Sequence, residues 1–590
     1  MEKKLSIHSE NILPIIKKWL YSDRDIFLRE LVSNSSDAIT KLKILKEDIS
    51  SAKIDITIDK KNSLLIIDDN GIGMTKKEVE KYISQIAFSG AEDFMKKYEA
   101  KDSFIGHFGL GFYSSFMAST KVEIETKSYL EKEKAVIWSS TGTSTYTIEE
   151  GSRANRGTKI TLFIDDENKD FLEEEKVKET LLKYTRFLSY PIFLNTKKIN
   201  DKEPLWIKNP KDITEKEYLD FYKTLYPFDP DPIFWVHINI DYPFELKGIL
   251  YFPKIQSNYD IQSSKVKLFS NRIFVSDNLK EILPDFLTVL KGSIESNDIP
   301  LNVSRSYLQM NKTVKQLGAH ISKKIFDKLS TLYKDQKDKF ISYYPDIEVI
   351  IKLGILQEEK LFEKAKNFLI YENTNNNWLT IDEYISKSKT DKKIFYTHKN
   401  KHTKELLDLY KDIEVIYTNP YIDSAMINLL ESKLGVKFVS IEGSIDDSII
   451  DKENEKNVLD SNGQTISAKL SKFFKSSINT ADLEVEAKSL KNKNLPSFLM
   501  IKEEDKRLND YMTMQNQNMT LPIKKTLVIN TSNPLIEKIE KLQSKDPALA
   551  KDLTKQIYGL AKLSQKDLSA NDLSEFVTNS TSLLEKLVNI

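Results

Sequence analysis

A chain of 590 residues exceeds what one hydrophobic core usually supports, and a prior of roughly 150 residues per domain predicts three or four domains. The composition, 40% hydrophobic and 30% charged with no apolar run long enough to cross a bilayer, excludes an integral membrane protein of the helical kind; the lack of any cysteine excludes disulfides, thiolate zinc sites and a cysteine nucleophile. Lysine plus arginine balance aspartate plus glutamate at 88 each, so no global basic field argues for nucleic acid.

Along the chain, Met1-Glu2-Lys3-Lys4-Leu5-Ser6-Ile7-His8 lacks the apolar core of a signal peptide, and Val588-Asn589-Ile590 carries no lipidation or retention motif, which predicts a cytoplasmic protein. Phe27 to Ala38 predicts a helix. At ~100° per residue Glu30, Asn34 and Asp37 share one side, while Leu28, Val32 and Ile39 face the other. That polar stripe reads either as a solvated helix face or as functional groups: a carboxylate that polarises an attacking water and an amide oxygen that ligates magnesium. Strands are expected at Ile54 to Ile58 and Leu64 to Ile67. Asp69-Asn70-Gly71-Ile72-Gly73-Met74 follows directly. It reads as a tight turn, or as a base-binding corner in which Asp69 accepts from an adenine amino group, Gly73 permits close backbone approach and Met74 packs the ring. Gly106-His107-Phe108-Gly109-Leu110-Gly111-Phe112 offers backbone amides to a phosphate near a helix start. Gly157-Thr158 opens a strand running to Ile164, with the Thr158 hydroxyl available to an adenine-binding network. No G-x-x-x-x-G-K-[ST] stretch occurs, so a P-loop is not the route to a nucleotide.

Beyond about residue 215, strand-like runs such as Ile233 to Val236 and Ile249 to Pro253, then a helical stretch from Val314 to Tyr333, predict a second α/β domain. The polar stretches Asn373 to Asn377 and Ser386 to Lys393 read as surface loops. Four of the ten methionines, Met500, Met512, Met514 and Met519, fall in the C-terminal region, where they either fill core gaps or serve an adaptable client surface, core being the expectation. Two amphipathic helices close the chain, one with Leu549, Leu553, Ile557 and Leu560, the other with Leu573, Phe576, Val577, Leu583, Leu584 and Leu587; Ser569 and Asp572 are placed to cap the second. Such a hairpin packs on its own domain or on a second copy.

Taken together, the four short elements of the first 210 residues resemble the nucleotide site of the superfamily that joins ninety-kilodalton heat-shock chaperones, gyrase B subunits, mismatch-repair MutL proteins and histidine kinases. The only histidine ahead of the site is His8, with no helical dimerisation region in front of it, which sets the kinases aside. Longer stretches resemble the bacterial HtpG-type ninety-kilodalton heat-shock chaperones: Arg29 to Ala38, Phe108 to Ser114, Phe234 to His237, Asp241 to Phe244, Gly248 to Pro253 and, most strongly, Lys291 to Arg305. The likeness fades in the C-terminal third, where Leu527 to Asn530 and Pro534-Leu535 are its clearest remnant.

The resemblance implies an α/β (α+β) chain with a Bergerat-type ATP-binding sandwich at 1–212, an α/β middle domain at 213–425 and a helical dimerisation domain at 426–590. It implies ATP and Mg2+ as ligands, with Asn34 on the metal. Nucleotide contacts are then expected from Asn34, Asp37, Ala38, Asp69, Gly73, Met74, Gly106, Phe108, Gly109, Gly111, Phe112 and Thr158, and catalysis from Glu30 with Arg305, which reaches the γ-phosphate, and Gln309. The implied machine is a homodimeric, ATP-gated clamp whose lid runs from about Phe88 to Phe112. Its partners are unfolded or partly folded clients and cochaperones, not nucleic acid or membrane. Three positions depart from the family: Phe88 where a lysine is common, His107 where a glutamine is common and Ala91 where a threonine is common. The acidic linker and acidic terminal pentapeptide of eukaryotic cytosolic members are lacking. A DNA-remodelling ATPase and a nonhydrolytic ATP-binding scaffold stay open as alternatives.

Overall fold

Two periods of apolar residues, 2 in strands and 3.6 in helices, lay out the architecture. The computed structural model describes residues 23–86, 88–98, 104–106, 109–200, 202–254, 265–279, 282–299, 312–388, 391–399, 404–443, 445–453, 465–480, 482–514, 524–565 and 567–588. The chain divides into two compact units, Met1–Lys328 and Leu329–Ile590.

The first unit opens with helix α1 (Ile26–Ile44) and strands β1 (Ile54–Asp59), β2 (Leu64–Asp69), β3 (Ser119–Lys127), β4 (Val136–Ser140), β5 (Thr147–Glu150), β6 (Gly157–Ile164), β7 (Ile192–Leu194) and β8 (Lys197–Lys198). They form one sheet in the order β5-β4-β3-β6-β2-β1-β7-β8, antiparallel except where β1 meets β7. Alternation along β2 and β6 sends Leu65, Ile67, Ile160 and Leu162 into one core, where the apolar side of α1, Leu28, Val32 and Ile39, joins them. The register then sets a transverse row near one end of the sheet: Asp69 on β2 lies opposite Thr158 on β6, which lies opposite Thr126 on β3. Two further helices, α2 (Lys76–Tyr82) and α3 (Gly90–Tyr98), and a 3₁₀ turn at Gly111–Met117 sit between β2 and β3 in sequence. Thr75 and Glu78 start α2 as a reciprocal capping box, which satisfies two otherwise orphaned backbone donors.

The same unit continues with α4 (Glu174–Thr185), α5 (Glu215–Leu225) and strands β9 (Phe234–Ile240), β10 (Leu246–Phe252), β11 (Lys265–Ser270), β12 (Ile273–Ser276) and β13 (Lys291–Glu295), ordered β12-β11-β13-β10-β9. An aromatic cluster containing Tyr184, Phe187, Trp206, Phe221, Phe269 and Phe274 packs α4, α5 and this sheet together. The indole of Trp206 donates to Glu295 at 2.6 Å, so its one polar atom is satisfied. Both runs read as strands from the sequence lie in β9 and β10, and the helical stretch is α6 (Lys312–Asp335).

In the second unit, Asn373 to Asn377 is a hairpin turn between β14 (Ile370–Glu372) and β15 (Trp378–Thr380). Asn373 is buried there, and its amide oxygen accepts from the backbone N–H groups of Asn375 and Asn377 at 3.0 and 2.7 Å. A parallel sheet, β17 (Val415–Thr418), β16 (Lys393–His398) and β18 (Lys437–Ser440), is followed by β19 (Leu483–Lys488), β21 (Lys525–Asn530) and β20 (Ser497–Ile501). The chain ends with α7 (Pro547–Ser564) and α8 (Ala570–Val588). Ser569 and Asp572 cap α8 reciprocally, as their spacing predicts. Ile557 and Ala561 of α7 enter a core with Leu527 and Ile529, whereas Leu573, Val577, Leu584 and Val588 form an exposed stripe on α8. Met500 packs against the core; the side chain of Met514 and all of Met519 lie outside the described residues.

Candidate functional site

Helix α1 is two-faced, and both faces are buried: Glu30 and Asp37 are 4% and 6% exposed. The polar stripe therefore is not a solvated face. It looks into a cavity of about 400 Å³ whose wall also includes Asn34 and Ala38. Arg29 fixes the Glu30 carboxylate, donating from Nε and Nη2 to Oε1 at 3.0 and 2.8 Å, and its own guanidinium lies 5.5 Å from the Tyr184 ring centroid. The other oxygen, Oε2, faces Gly111, where a Cβ would stand only 2.6 Å away; glycine is required to let the 3₁₀ turn approach the carboxylate.

Asp37 acts on backbone. Its carboxylate accepts from the N–H groups of Ile105, at 2.9 and 3.1 Å, and of Gly106, at 2.8 Å. That holds Gly106 over α1, where a Cβ would meet Asn34 Oδ1 and Asp37 Oδ2 at 3.3 Å each. Gly109, in the left-handed region at φ +62°, closes against the Phe88 backbone, and with Gly111 and Phe112 it lines the cavity. Phe108 and His107 lie outside the described residues, as do Arg305 and Gln309. Phe88 is half exposed on the cavity wall and Ala91 is buried there.

At the other end the transverse row converges. Asp69 is buried, accepts from the Gly71 N–H at 2.9 Å, and has its pKa pushed up to about 7, chiefly by burial, against the lowering effect of that bond and one from Ser35. Gly73, at φ +64°, has no room for a Cβ because the Lys127 carbonyl oxygen would lie 1.8 Å from it. What approaches Gly73 is the chain's own backbone at Lys127. Met74 and Thr158 complete the wall.

Three residues escaped the sequence reading. Thr126 is fully buried; its hydroxyl accepts from the Met74 N–H at 3.0 Å, donates to the Gly157 carbonyl at 3.1 Å and lies 2.9 Å from the Thr158 hydroxyl. Its signal was there: an inward hydroxyl in the alternation Val122, Ile124, Thr126. Lys41 follows Asp37 by one helical turn. Burial lowers its pKa, Asp37 and Glu78 oppose that, and Nζ donates to the Gly90 carbonyl at 3.3 Å. Arg29, which orients Glu30, is the third. Among the described residues the cavity lining has the carboxylates of Glu30, Asp37, Asp69, Glu78 and Asp93 against the ammonium groups of Lys41 and Lys97.

A buried carboxyl beside a hydroxyl pair suits a planar base, clustered glycine amides suit phosphate, and a clamped carboxylate suits activation of water. Comparison with known proteins agrees. Residues 23–163 match the family model "Histidine kinase-, DNA gyrase B-, and HSP90-like ATPase". Residues 194–590 match the model "Hsp90 protein". The chain is 38% identical to the chaperone protein HtpG of Bacteroides fragilis over 95% of its own length and 88% of that protein's. It is 38% identical to that of Porphyromonas gingivalis, over 97% and 89%, and 33% identical to that of Buchnera aphidicola subsp. Cinara cedri, over 91% of each.

Proposed function

The chain belongs to the Hsp90 protein family, and we propose that its ATP is bound and hydrolysed in the cavity beneath α1 by the residues described there. The chain is an ATP-dependent molecular chaperone with ATPase activity that acts on client proteins. The observation that carries the site assignment is the buried Glu30 carboxylate, held by Arg29 through one oxygen with the other facing the glycine turn.

In this reading Asp69 accepts from the adenine amino group, Thr158 and Thr126 hold the polar edge of the base, and Met74 packs its face. The backbone of Gly106, Phe108, Gly109, Gly111 and Phe112 receives the phosphates, and Glu30 polarises the attacking water. Five lining carboxylates against two lysines leave a polyphosphate with a surplus of negative charge, and Asn34 supplies a neutral oxygen beside it, so the residues fit Mg2+. The metal, when bound, neutralises phosphate charge. Arg305 and Gln309, assigned by resemblance, complete the site from the middle domain; a guanidinium fork suits a γ-phosphate. The working unit is a cytoplasmic homodimer of three-domain chains, divided 1–212, 213–425 and 426–590, that closes when ATP orders the segment from Phe88 to Phe112. The exposed α8 stripe supports dimerisation, because its apolar surface is costly without a partner.

Steady-state hydrolysis by the chain and by Glu30→Ala, with a thermally unfolding client or with DNA, tests the reading. Slow magnesium-dependent turnover, reduced at least ~100-fold in Glu30→Ala and altered by client alone, is expected. Unchanged turnover in Glu30→Ala removes Glu30 from the mechanism, and stimulation by DNA favours the gyrase-like alternative.

A further inference from the structure

A second cavity, of about 710 Å³, opens in the first unit and shares no lining residue with the first. Its apolar wall is aromatic, with Tyr184, Phe187, Phe269 and Phe274. Its charged lining comprises Arg29, Lys183, Arg186 and Lys267 against Asp23, Glu179 and Asp277. Most of the cations are committed. Arg29 is held by Glu30, Lys183 meets Asp25 at 3.0 Å, and Arg186 donates to the Thr224 carbonyl at 2.6 Å.

Lys267 differs. No carboxylate among the described residues lies within ion-pair distance of its ammonium, which rests over the Phe274 and Tyr226 rings at 5.5 and 5.8 Å. Burial is the largest influence on it and lowers its pKa; Asp277 acts the other way, and Arg186 and Lys183 lower it further. A desolvated ammonium facing two like charges is costly unless an anion joins it.

We propose that this cavity is a binding site for a small organic anion with a planar ring, the ring against Phe269 and Phe274 and the anionic group between Lys267 and Arg186. The volume suits a ligand of that size, since small-molecule sites span roughly 300–1,000 Å³ with apolar walls and few convergent polar groups. Neither inorganic phosphate, which leaves the aromatic wall unused, nor a neutral ring, which leaves the cation unmatched, satisfies both halves. Arg29 lines this cavity while gripping Glu30, so on the reading of Glu30 as the hydrolytic carboxylate an occupant of the second cavity modulates turnover in the first.

Fluorescence titration of the full chain with naphthyl phosphate, in saturating ADP so that the first cavity is filled, tests the site. Saturable binding of one probe per chain is expected, weakened about tenfold or more in Lys267→Met and in Arg186→Gln, and much tighter than for inorganic phosphate or naphthalene methanol. The thermal transition of Lys267→Met should match or exceed that of the parent, because an apolar tip replaces a half-buried charge that Asp277 offsets only from beyond ion-pair distance, so weaker binding will not reflect unfolding. Absence of saturation, displacement by ADP, or affinity in both variants equal to the parent's overturns the proposal. Binding is read without hydrolysis, so a failure of the Glu30 assignment leaves this result standing.

Discussion

The carboxyl of Asp69 sits at about 7 in the folded chain against an ordinary value of 3.8, because burial disfavours its charge. Below 3.8 folded and unfolded chains both hold the proton; from there to about 7 the folded chain holds more, so the stability this group contributes is fully present in acid and lost as pH rises through that window. Asp69→Asn, which cannot ionise, should therefore gain in melting temperature relative to the parent between pH 5 and pH 8, read on the first thermal transition, while nucleotide affinity drops ~100-fold or more. A constant difference across that range would refute the burial of a titrating Asp69. Gly111 offers a second residue-scale test. A methyl there collides with Glu30 Oε2, and Arg29 keeps the carboxylate from swinging away freely. Gly111→Ala should lose about tenfold or more in kcat and weaken ADP binding by a smaller factor, because the displaced carboxylate serves hydrolysis while the Gly111 backbone, on the proposed site, shifts against the phosphates.

Thr126 acts through elements, joining β3 to β6 and to the turn after β2 by one hydroxyl. Thr126→Val keeps the shape and takes from the half-buried Met74 N–H its acceptor, which costs about 1 kcal/mol. A fall in melting temperature together with weaker ADP binding is expected, and an unchanged protein would show that the row is held by the sheet alone. The elements themselves were largely legible: the stripe on α1, the strands around Leu65 and Leu162, and the Ser569 cap follow from periods and local hydrogen bonding, which need only neighbours in sequence. What was not legible needed register. Nothing local says that Thr126, 32 residues before Thr158, lies directly opposite it on the neighbouring strand, or that Asp37 is spent on the backbone of Ile105 and Gly106. The Asn373 turn went the same way, because its burial comes from packing and not from its polar composition.

For the whole molecule, the exposed stripe of α8 sets the association test. Leu573, Val577, Leu584 and Val588 recur on one side of the helix, and Val588 is 84% exposed. On the proposed dimer, the parent should run as a dimer by light scattering and a chain carrying Val577→Glu and Leu584→Glu as a monomer, with reduced turnover; a dimer that survives both charges places the interface elsewhere. At this scale the four nucleotide elements and a family likeness were legible in the sequence, but not the second cavity, which arises where α1, α4, α5 and β11 to β12 meet in space. Finally, α1 has no face to spare. Leu28, Val32 and Ile39 belong to the central core of the first unit while Glu30 and Asp37, on the same stretch of helix, belong to the cavity. On the proposed site, hydrolysis should not outlive that core, and a loosened core should disturb Glu30. With that site, turnover on heating should end where the first unit melts, so activity reports the integrity of the fold.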